Sequence, residues 1–321
     1  MTAVEPGLAG PVYDEAAVDR TPPALSAPSV TRLVVDVDGI PMSVLLSEAE
    51  QPRGVIVALH GGAAISAYFD DPGRPRHSLL RLGTALGFTV IAVDRPGYGD
   101  SASHAADLTS AERRVDLVYA VVDRLLETRP QGAGVFLLGH SIGCELVLRM
   151  AGRPRGTDLL GVELAGTGRH HHPGIQELLQ GRREAAAVPK SQGRALFDLL
   201  WTPSRLYPSE VIGGAGFASP TPGYEGEVAQ TWKEEFAELA GAVRVPVHYT
   251  LSDHEQVWRT GPAALADIAS LFTAAPRVCT DEFAESGHNL SVGLTAMAYH
   301  LRALSFVEEC VLDRLTTRRA G

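Results

Sequence analysis

Cysteine is scarce in this sequence, and its scarcity argues against two kinds of architecture. The 321 residues contain three cysteines, Cys144, Cys279 and Cys310. An odd number of thiols at such wide spacing argues against a disulfide framework and against a zinc site. We therefore predict a protein of the reducing cytoplasm that binds no metal.

Excess positive charge and long apolar runs are also missing. The formal net charge is −10 at pH 7, and the 45% hydrophobic content includes no stretch long enough to span a bilayer. Nucleic acids and anionic membranes attract basic surfaces, so neither is an expected partner. We predict a small-molecule substrate and leave the oligomeric state open. The length suits a single α/β unit that carries an insertion.

Residues 1–28 differ in composition from the rest of the chain. They are rich in alanine, proline and acidic residues, and they lack the charged and apolar regions of a signal peptide. We predict a flexible N-terminal tail, which agrees with a cytoplasmic location.

The chain is organised around residues 139–143, Gly-His-Ser-Ile-Gly. The apolar run before them predicts a strand buried on both faces, and helical spacing after them predicts a helix that ends near Gly152. A sharp strand-to-helix turn exposes the side chain at its apex, Ser141, so we interpret this serine as a nucleophile. The N–H of Ile142, at the helix start, is placed to donate to an oxyanion. Glycine at 139 and 143 avoids a collision where strand and helix converge.

These five residues resemble the nucleophile elbow Gly-x-Ser-x-Gly of the α/β-hydrolase fold family. The alternative for so short a match is an ordinary glycine-rich turn between a strand and a helix. The resemblance implies a serine nucleophile, followed along the chain by an acid and then by a histidine. The remaining sequence has to supply both.

Apolar runs and helical patterns alternate along the chain. Asp38-Gly39 predicts a hairpin of residues 33–37 and 42–46. Further strands are predicted at 55–59, 88–93, 159–164, 245–251 and 277–280. A capping box from Thr109 to Glu112 starts one helix, and the last helix has an apolar face made of Met297, Leu301, Leu304, Val307, Val311 and Leu315. With the resemblance, this order predicts an α/β fold: a mostly parallel, eight-stranded α/β-hydrolase sheet flanked by helices.

The run at 55–59 leads into His60-Gly61-Gly62, which resembles the oxyanion loop of the same family. The match implies a second backbone donor at Gly62, with Ala63 as the alternative. A tight strand exit with a structural histidine is the competing interpretation. The later loop from Asp94 to Ser101 is similar to a family loop of structural role, and it lacks the Lys-Ser/Thr of a phosphate loop.

The pattern changes between residues 169 and 243, after the sixth strand. This block resembles the cap that covers the active site in many family members, so we predict a core of residues 29–168 and 244–321 with a cap at 169–243. The aromatic residues of this block, together with Leu200, either line the substrate pocket or pack between cap and core. They are Phe197, Leu200, Trp201, Tyr207, Phe217 and Trp232. Three consecutive histidines, 170–172, predict a solvated turn more readily than a metal site.

An acid and a histidine follow the last two predicted strands. Aligned to the family's Gly-x-x-Asp turn, Ser252 takes the glycine position and Glu255 the acid position, with Asp253 as a rival. His288 lies in the loop after the final strand and is the predicted base. Asp253 comes early in the turn, where a short side chain caps backbone N–H groups.

The predicted function is a serine hydrolase that forms an acyl-enzyme on an ester or thioester of a mostly apolar small molecule. It uses Ser141, His288 and Glu255, with Ile142 and Gly62 as oxyanion donors and no cofactor. One alternative is a cyclase or acyltransferase of natural-product biosynthesis with the same triad. Another is a non-catalytic ligand-binding protein, for which an aligned base would be unnecessary.

Overall fold

The computed structural model describes residues 28–173, 175 and 198–320, with side chains described up to residue 317. The predicted tail, apart from Pro28, lies outside the described residues, and so does Phe197.

Eight strands form one sheet in the order β1-β2-β4-β3-β5-β6-β7-β8. In this order, every neighbouring pair from β4 to β8 is parallel. Strand β2 pairs antiparallel with both β1 and β4. The sheet confirms the predicted mostly parallel α/β fold. Its strands are β1 Thr31–Val37, β2 Ile40–Ser47, β3 Val55–Leu59, β4 Thr89–Val93, β5 Val135–His140, β6 Val162–Ala165, β7 Val247–Ser252 and β8 Val278–Phe283.

The predicted hairpin is confirmed as β1 and β2, with Val37 opposite Ile40. Its two turn residues, Asp38 and Gly39, have φ values of 54° and 83°. Both positive values match the turn type that suits the right-handed twist of the paired strands. Strand β3 is buried at every position, as a strand covered on both faces requires.

Helices cover both faces of the sheet. They are α1 Leu79–Ala85, α2 Ala111–Leu126, α3 Gly143–Gly152, α4 Glu225–Gly241, α5 Pro262–Ala269 and α6 Ala296–Ala320. Side chains of α2, α3, α4 and α5 form one large core cluster with the sheet, while α1 and α6 contribute to the cluster on the opposite face. Short 3₁₀ turns lie at Ser66–Phe69, Gly99–Asp107, Pro154–Asp158, Ser204–Leu206 and Leu290–Val292.

Helix α4 falls inside the predicted cap yet packs on the sheet. Trp232, Phe236 and Ala240 are buried in the same core cluster as Tyr249 of β7. The Trp232 indole N–H also donates to the carbonyl oxygen of Gly168 at 2.9 Å, at the start of the insertion. Within the predicted cap of 169–243, α4 therefore buries its apolar side against the sheet.

Two helix details differ from prediction. Ser110, and not Thr109, caps α2, since its hydroxyl accepts the Arg113 N–H at 3.3 Å. In α6, Leu301 and Leu315 are each 39% exposed, whereas Ala303, Phe306 and Cys310 are buried. The buried stripe of α6 therefore lies to one side of the predicted face.

A row of charged side chains, of which Glu163 and His248 are buried, crosses the sheet beneath α6. Glu163 of β6 lies opposite His248 of β7, and the two side chains form an ion pair. His248 Nε2 also lies 2.9 Å from Asp281 of β8, and the Tyr299 hydroxyl donates to Glu163 at 3.2 Å. Burial lowers the pKa of His248, but the two carboxylates outweigh it and raise that pKa to about 9. The ring is therefore an imidazolium at neutral pH.

We expect His248 to make the stability of the protein fall in alkali. Its pKa is raised in the folded state, so its contribution is complete below about pH 6.5 and is lost as the pH rises through about 9. The shift corresponds to about 3 kcal/mol of unfolding free energy. Urea unfolding between about pH 6 and about pH 10 should show this loss in the wild type and a flatter profile in His248→Gln. His104→Gln, at a partly exposed histidine, should behave as the wild type does. Equal slopes in all three proteins would contradict the assignment.

Candidate active site

Ser141 lies at the apex of the turn between β5 and α3. Its φ is 52°, in the left-handed region that residues with a side chain seldom adopt. The Ser141 N–H donates to the Ala165 carbonyl at the end of β6 at 2.8 Å, which anchors the strained backbone to the neighbouring strand. A Cβ on Gly143 would lie 2.5 Å from the carbonyl oxygens of Leu59 and His60, so β3 also forces glycine at this position.

The structure brings the three predicted triad residues together at the carboxyl edge of the sheet. His288 Nε2 lies 3.0 Å from Ser141 Oγ. On the other side of the ring, His288 Nδ1 lies 2.9 Å and 3.0 Å from the two carboxylate oxygens of Glu255. Glu255 is 2% exposed and also accepts the Val257 N–H at 2.8 Å. With the proton on Nδ1, the ring donates to Glu255 and leaves Nε2 free to accept a proton from the serine.

Asp253 caps the histidine loop. Its carboxylate accepts the N–H groups of Glu285 at 2.9 Å and Ser286 at 3.1 Å. These contacts are those of a short acid that satisfies turn N–H groups. The geometry thus gives Asp253 and Glu255 different neighbours.

The predicted oxyanion donors, Gly62 and Ile142, lie close together, since a Cβ on Gly62 would lie 3.6 Å from Ile142 Cγ2. Within the described residues, no acceptor engages the N–H of Gly62 or of Ile142. The alternative donor, Ala63, has its N–H bound to the Tyr98 hydroxyl at 3.1 Å and adopts a φ of 55°. Of the two loop positions that the sequence left open, Gly62 has the N–H that is available.

His140, the second residue of the elbow motif, supports the base through its backbone. Its Nε2 donates to the carbonyl oxygen of His288 at 2.9 Å, and its ring stacks on Tyr68 with centroids 4.6 Å apart. Burial lowers the pKa of His140 to about 3, with a further contribution from His288, so the ring is neutral. The sequence marked this residue only as the variable position of the motif, and no pattern in it indicated the contact.

The insertion braces the histidine loop from the opposite side. The Tyr207 hydroxyl accepts the Asn289 N–H at 3.1 Å, and the Leu206 carbonyl accepts the Leu294 N–H at 2.9 Å. Trp201 packs edge-on against Tyr207 with ring centroids 5.1 Å apart. Trp201, Tyr207 and Phe217 are at most 7% exposed, so they pack between insertion and core, the second of the two predicted roles.

The triple histidine shows ordinary contacts. His171 lies beside Trp258, with ring centroids 4.7 Å apart, and His170 lies 3.6 Å from Asp267. In the described ranges, no three His, Cys, Asp or Glu side chains are grouped closely enough to hold a metal ion. Over the same ranges, every helix is too short or too polar to cross a membrane.

Comparison with known proteins decides the family. The sequence model of the alpha/beta hydrolase family matches residues 56–304, which extend from β3 into α6 and include every residue of the site described above. The chain belongs to the alpha/beta hydrolase family.

Individual relatives are distant from this alpha/beta hydrolase. Phospholipase YtpA of Bacillus subtilis is 30% identical over 118 residues, which are 37% of this chain and 42% of that protein. A thermostable carboxyl esterase from Bacillus coagulans superposes with a TM-score of 0.62 and 18% identity, over 88% of this chain and 99% of the esterase. A thioesterase domain from the curacin biosynthetic pathway superposes with a TM-score of 0.53 and 16% identity, over 87% of this chain and 99% of that domain. Structural similarity at sequence identities of 16% and 18% establishes a shared fold.

Proposed function

We propose that this alpha/beta hydrolase cleaves an ester or thioester of a mostly apolar small molecule through an acyl-enzyme on Ser141. The observation that carries the proposal is the alignment of His288 between Ser141 Oγ, at 3.0 Å, and the buried Glu255 carboxylate, at 2.9 Å. A base that touches a hydroxyl on one side and an acid on the other is the arrangement that activates a serine.

The proposed mechanism assigns a role to each group. His288 Nε2 takes the Ser141 proton as Oγ attacks the carbonyl carbon, and Glu255 stabilises the resulting imidazolium. The N–H groups of Gly62 and Ile142 hold the oxyanion. His288 then gives the proton to the leaving alcohol or thiol, and water releases the acyl group by the same steps in the second half of the reaction.

The acyl acceptor separates the main proposal from its alternative. A cyclase or acyltransferase would use the same triad, with a hydroxyl or amine of the substrate in place of water. The structural neighbours include a carboxyl esterase and a thioesterase domain of a biosynthetic pathway, and the low identity to each favours neither hydrolysis nor transfer. The main proposal is hydrolysis, because water needs no second binding site.

The experiment that tests the proposal is incubation with p-nitrophenyl esters and acyl thioesters of increasing chain length. We expect turnover, a transient mass increase on the protein equal to one acyl group, and products that carry one added water. Products without that water would support cyclisation or transfer. Absence of both turnover and mass increase across the panel would contradict acyl-enzyme chemistry.

Two further expectations accompany this proposal. The cap assignment is retained for the insertion ahead of α4, where Tyr207 and its neighbours contact the histidine loop. The cytoplasmic location rests on Cys144, Cys279 and Cys310, which are all unpaired.

A further inference from the structure

A buried arginine lies directly beneath the oxyanion loop. Arg95 follows β4 and is 2% exposed. Its Nη2 donates to the Gly61 carbonyl at 2.9 Å and to Glu225 Oε1 at 2.5 Å. Its backbone N–H donates to His60 Nε2 at 3.0 Å. One residue thus contacts the loop through both its main chain and its side chain.

His60 supplies a second donor to the same carbonyl. Because Nε2 accepts the Arg95 N–H, the neutral ring carries its proton on Nδ1, which lies 2.8 Å from the Gly61 oxygen. Burial, followed by the charge of Arg95, holds the pKa of His60 well below its usual range, so the ring remains in this neutral form. The Gly61 carbonyl therefore accepts from His60 and from Arg95 together.

Fixing that carbonyl fixes the predicted oxyanion donor. The Gly61 C=O and the Gly62 N–H belong to one planar trans peptide group, in which they point in opposite directions. Glycine on both sides of this group leaves the backbone free to rotate unless other residues restrain it. Two donors on the carbonyl supply the restraint, and the Arg95 charge further polarises the peptide toward a stronger N–H donor.

Glu225 keeps the arginine in place. It is 4% exposed at the first position of α4, and it is the carboxylate that pairs with the Arg95 guanidinium. The guanidinium carbon of Arg95 also lies over the Tyr98 ring, 4.9 Å from its centroid, and the Tyr98 hydroxyl accepts the N–H of Ala63. Gly61 and Ala63, the residues on either side of Gly62, are thereby tied to one buried cluster. An arginine without this partner would be an uncompensated buried charge.

We propose that Arg95, held by Glu225, is a positioning residue that orients the Gly61 peptide so that the Gly62 N–H points at the oxyanion formed on Ser141. The inference rests on the proposed function. It gives a role in the reaction to the start of α4 and to the loop after β4, which the sequence pattern indicated as structural.

The test uses a double substitution that removes the ion pair without leaving a lone charge, Arg95→Met with Glu225→Leu. The matched control is Arg114→Met with Glu145→Leu, which removes another buried pair, of 2% and 3% exposure, on the same face of the sheet. We expect kcat to fall about 10- to 100-fold in the first variant, somewhat less than the loss of an oxyanion donor itself. KM and the pH at half-maximal kcat/KM should be unchanged, because Ser141 and His288 are untouched.

A trifluoromethyl ketone adds a readout that a purely structural pair would not change. Its adduct with Ser141 carries an oxyanion, so its affinity should fall by the same factor as kcat in the Arg95 variant and remain at the wild-type value in the control.

Glu225→Gln, which keeps the shape and an acceptor for Arg95, should show a smaller loss of kcat at constant KM. This variant serves if the double variant does not fold. An Arg95 variant with the kcat and inhibitor affinity of its control would overturn the inference alone. A wild type without turnover or acylation would overturn the proposed function and this inference with it.

Discussion

Ser141→Ala should lower kcat by about a millionfold, because a triad serine and its base act as one unit and the loss of either removes nearly the whole effect of both. The same change should abolish labelling by a fluorophosphonate, which reacts with an activated serine. The fold should be unaffected, since alanine differs from serine by one hydroxyl and the hydrogen bond of Ser141 Oγ within the described residues is the one to His288.

The control for this variant is Ser252→Ala at the end of β7. Ser252 is buried, and its hydroxyl has no hydrogen-bond partner among the described residues, so its removal should leave labelling and kcat at wild-type values. Retained labelling of Ser141→Ala would place the nucleophile elsewhere. Loss of labelling in both variants would indicate that the substitutions act through folding.

The sequence predicted the features that depend on local pattern. The strand before Ser141, the turn at the serine and the helix after it follow from an apolar run, glycine spacing and helical periodicity, and all appear as β5 and α3. The hairpin turn at Asp38 and Gly39 was predictable for the same reason, since two adjacent residues determine it.

What a helix packs against could not be read from its own residues. The apolar side of α4 is compatible with a cap or with the sheet, and only the fold shows Trp232 and Phe236 in the main core. The periodicity of α6 likewise fits several neighbouring faces, which is why Leu301 was predicted to be buried and is 39% exposed. Tertiary packing selects among faces that the helical period leaves equivalent.

Contacts between distant residues were the other gap. Arg95 and Glu225 are 130 positions apart, and His140 and His288 are 148 apart. Each residue looked ordinary in its own segment: an arginine in a glycine-rich loop, an acid before a helix, the variable position of a motif. A buried charge becomes informative only when its partner is known, because burial without one is too costly. The structure added most to the candidate site by identifying such contacts between residues that are distant in the sequence.

Glu255→Gln should lower kcat by about four orders of magnitude, as expected for the amide of a triad acid. In the wild type, the two carboxylate oxygens of Glu255 lie 2.9 Å and 3.0 Å from His288 Nδ1, and this contact fixes the proton on Nδ1. An amide NH₂ at this place favours the other tautomer, in which Nε2 carries the proton and is unable to accept the one from Ser141. The amide keeps the volume of the acid, and its oxygen still accepts the Val257 N–H, so the loop should hold its shape.

Asp253→Asn is the matched comparison, because it makes the same chemical change two residues away. Its carboxylate accepts two backbone N–H groups, from Glu285 and Ser286, and the amide retains one oxygen for them. We expect a loss of about 1–2 kcal/mol in unfolding free energy and little change in kcat. Both variants should be compared on folded protein with one ester, since the Asp253 contacts support the loop that carries His288. The opposite ranking of kcat would transfer the acid role to Asp253 and would require the turn after β7 to rearrange when substrate binds.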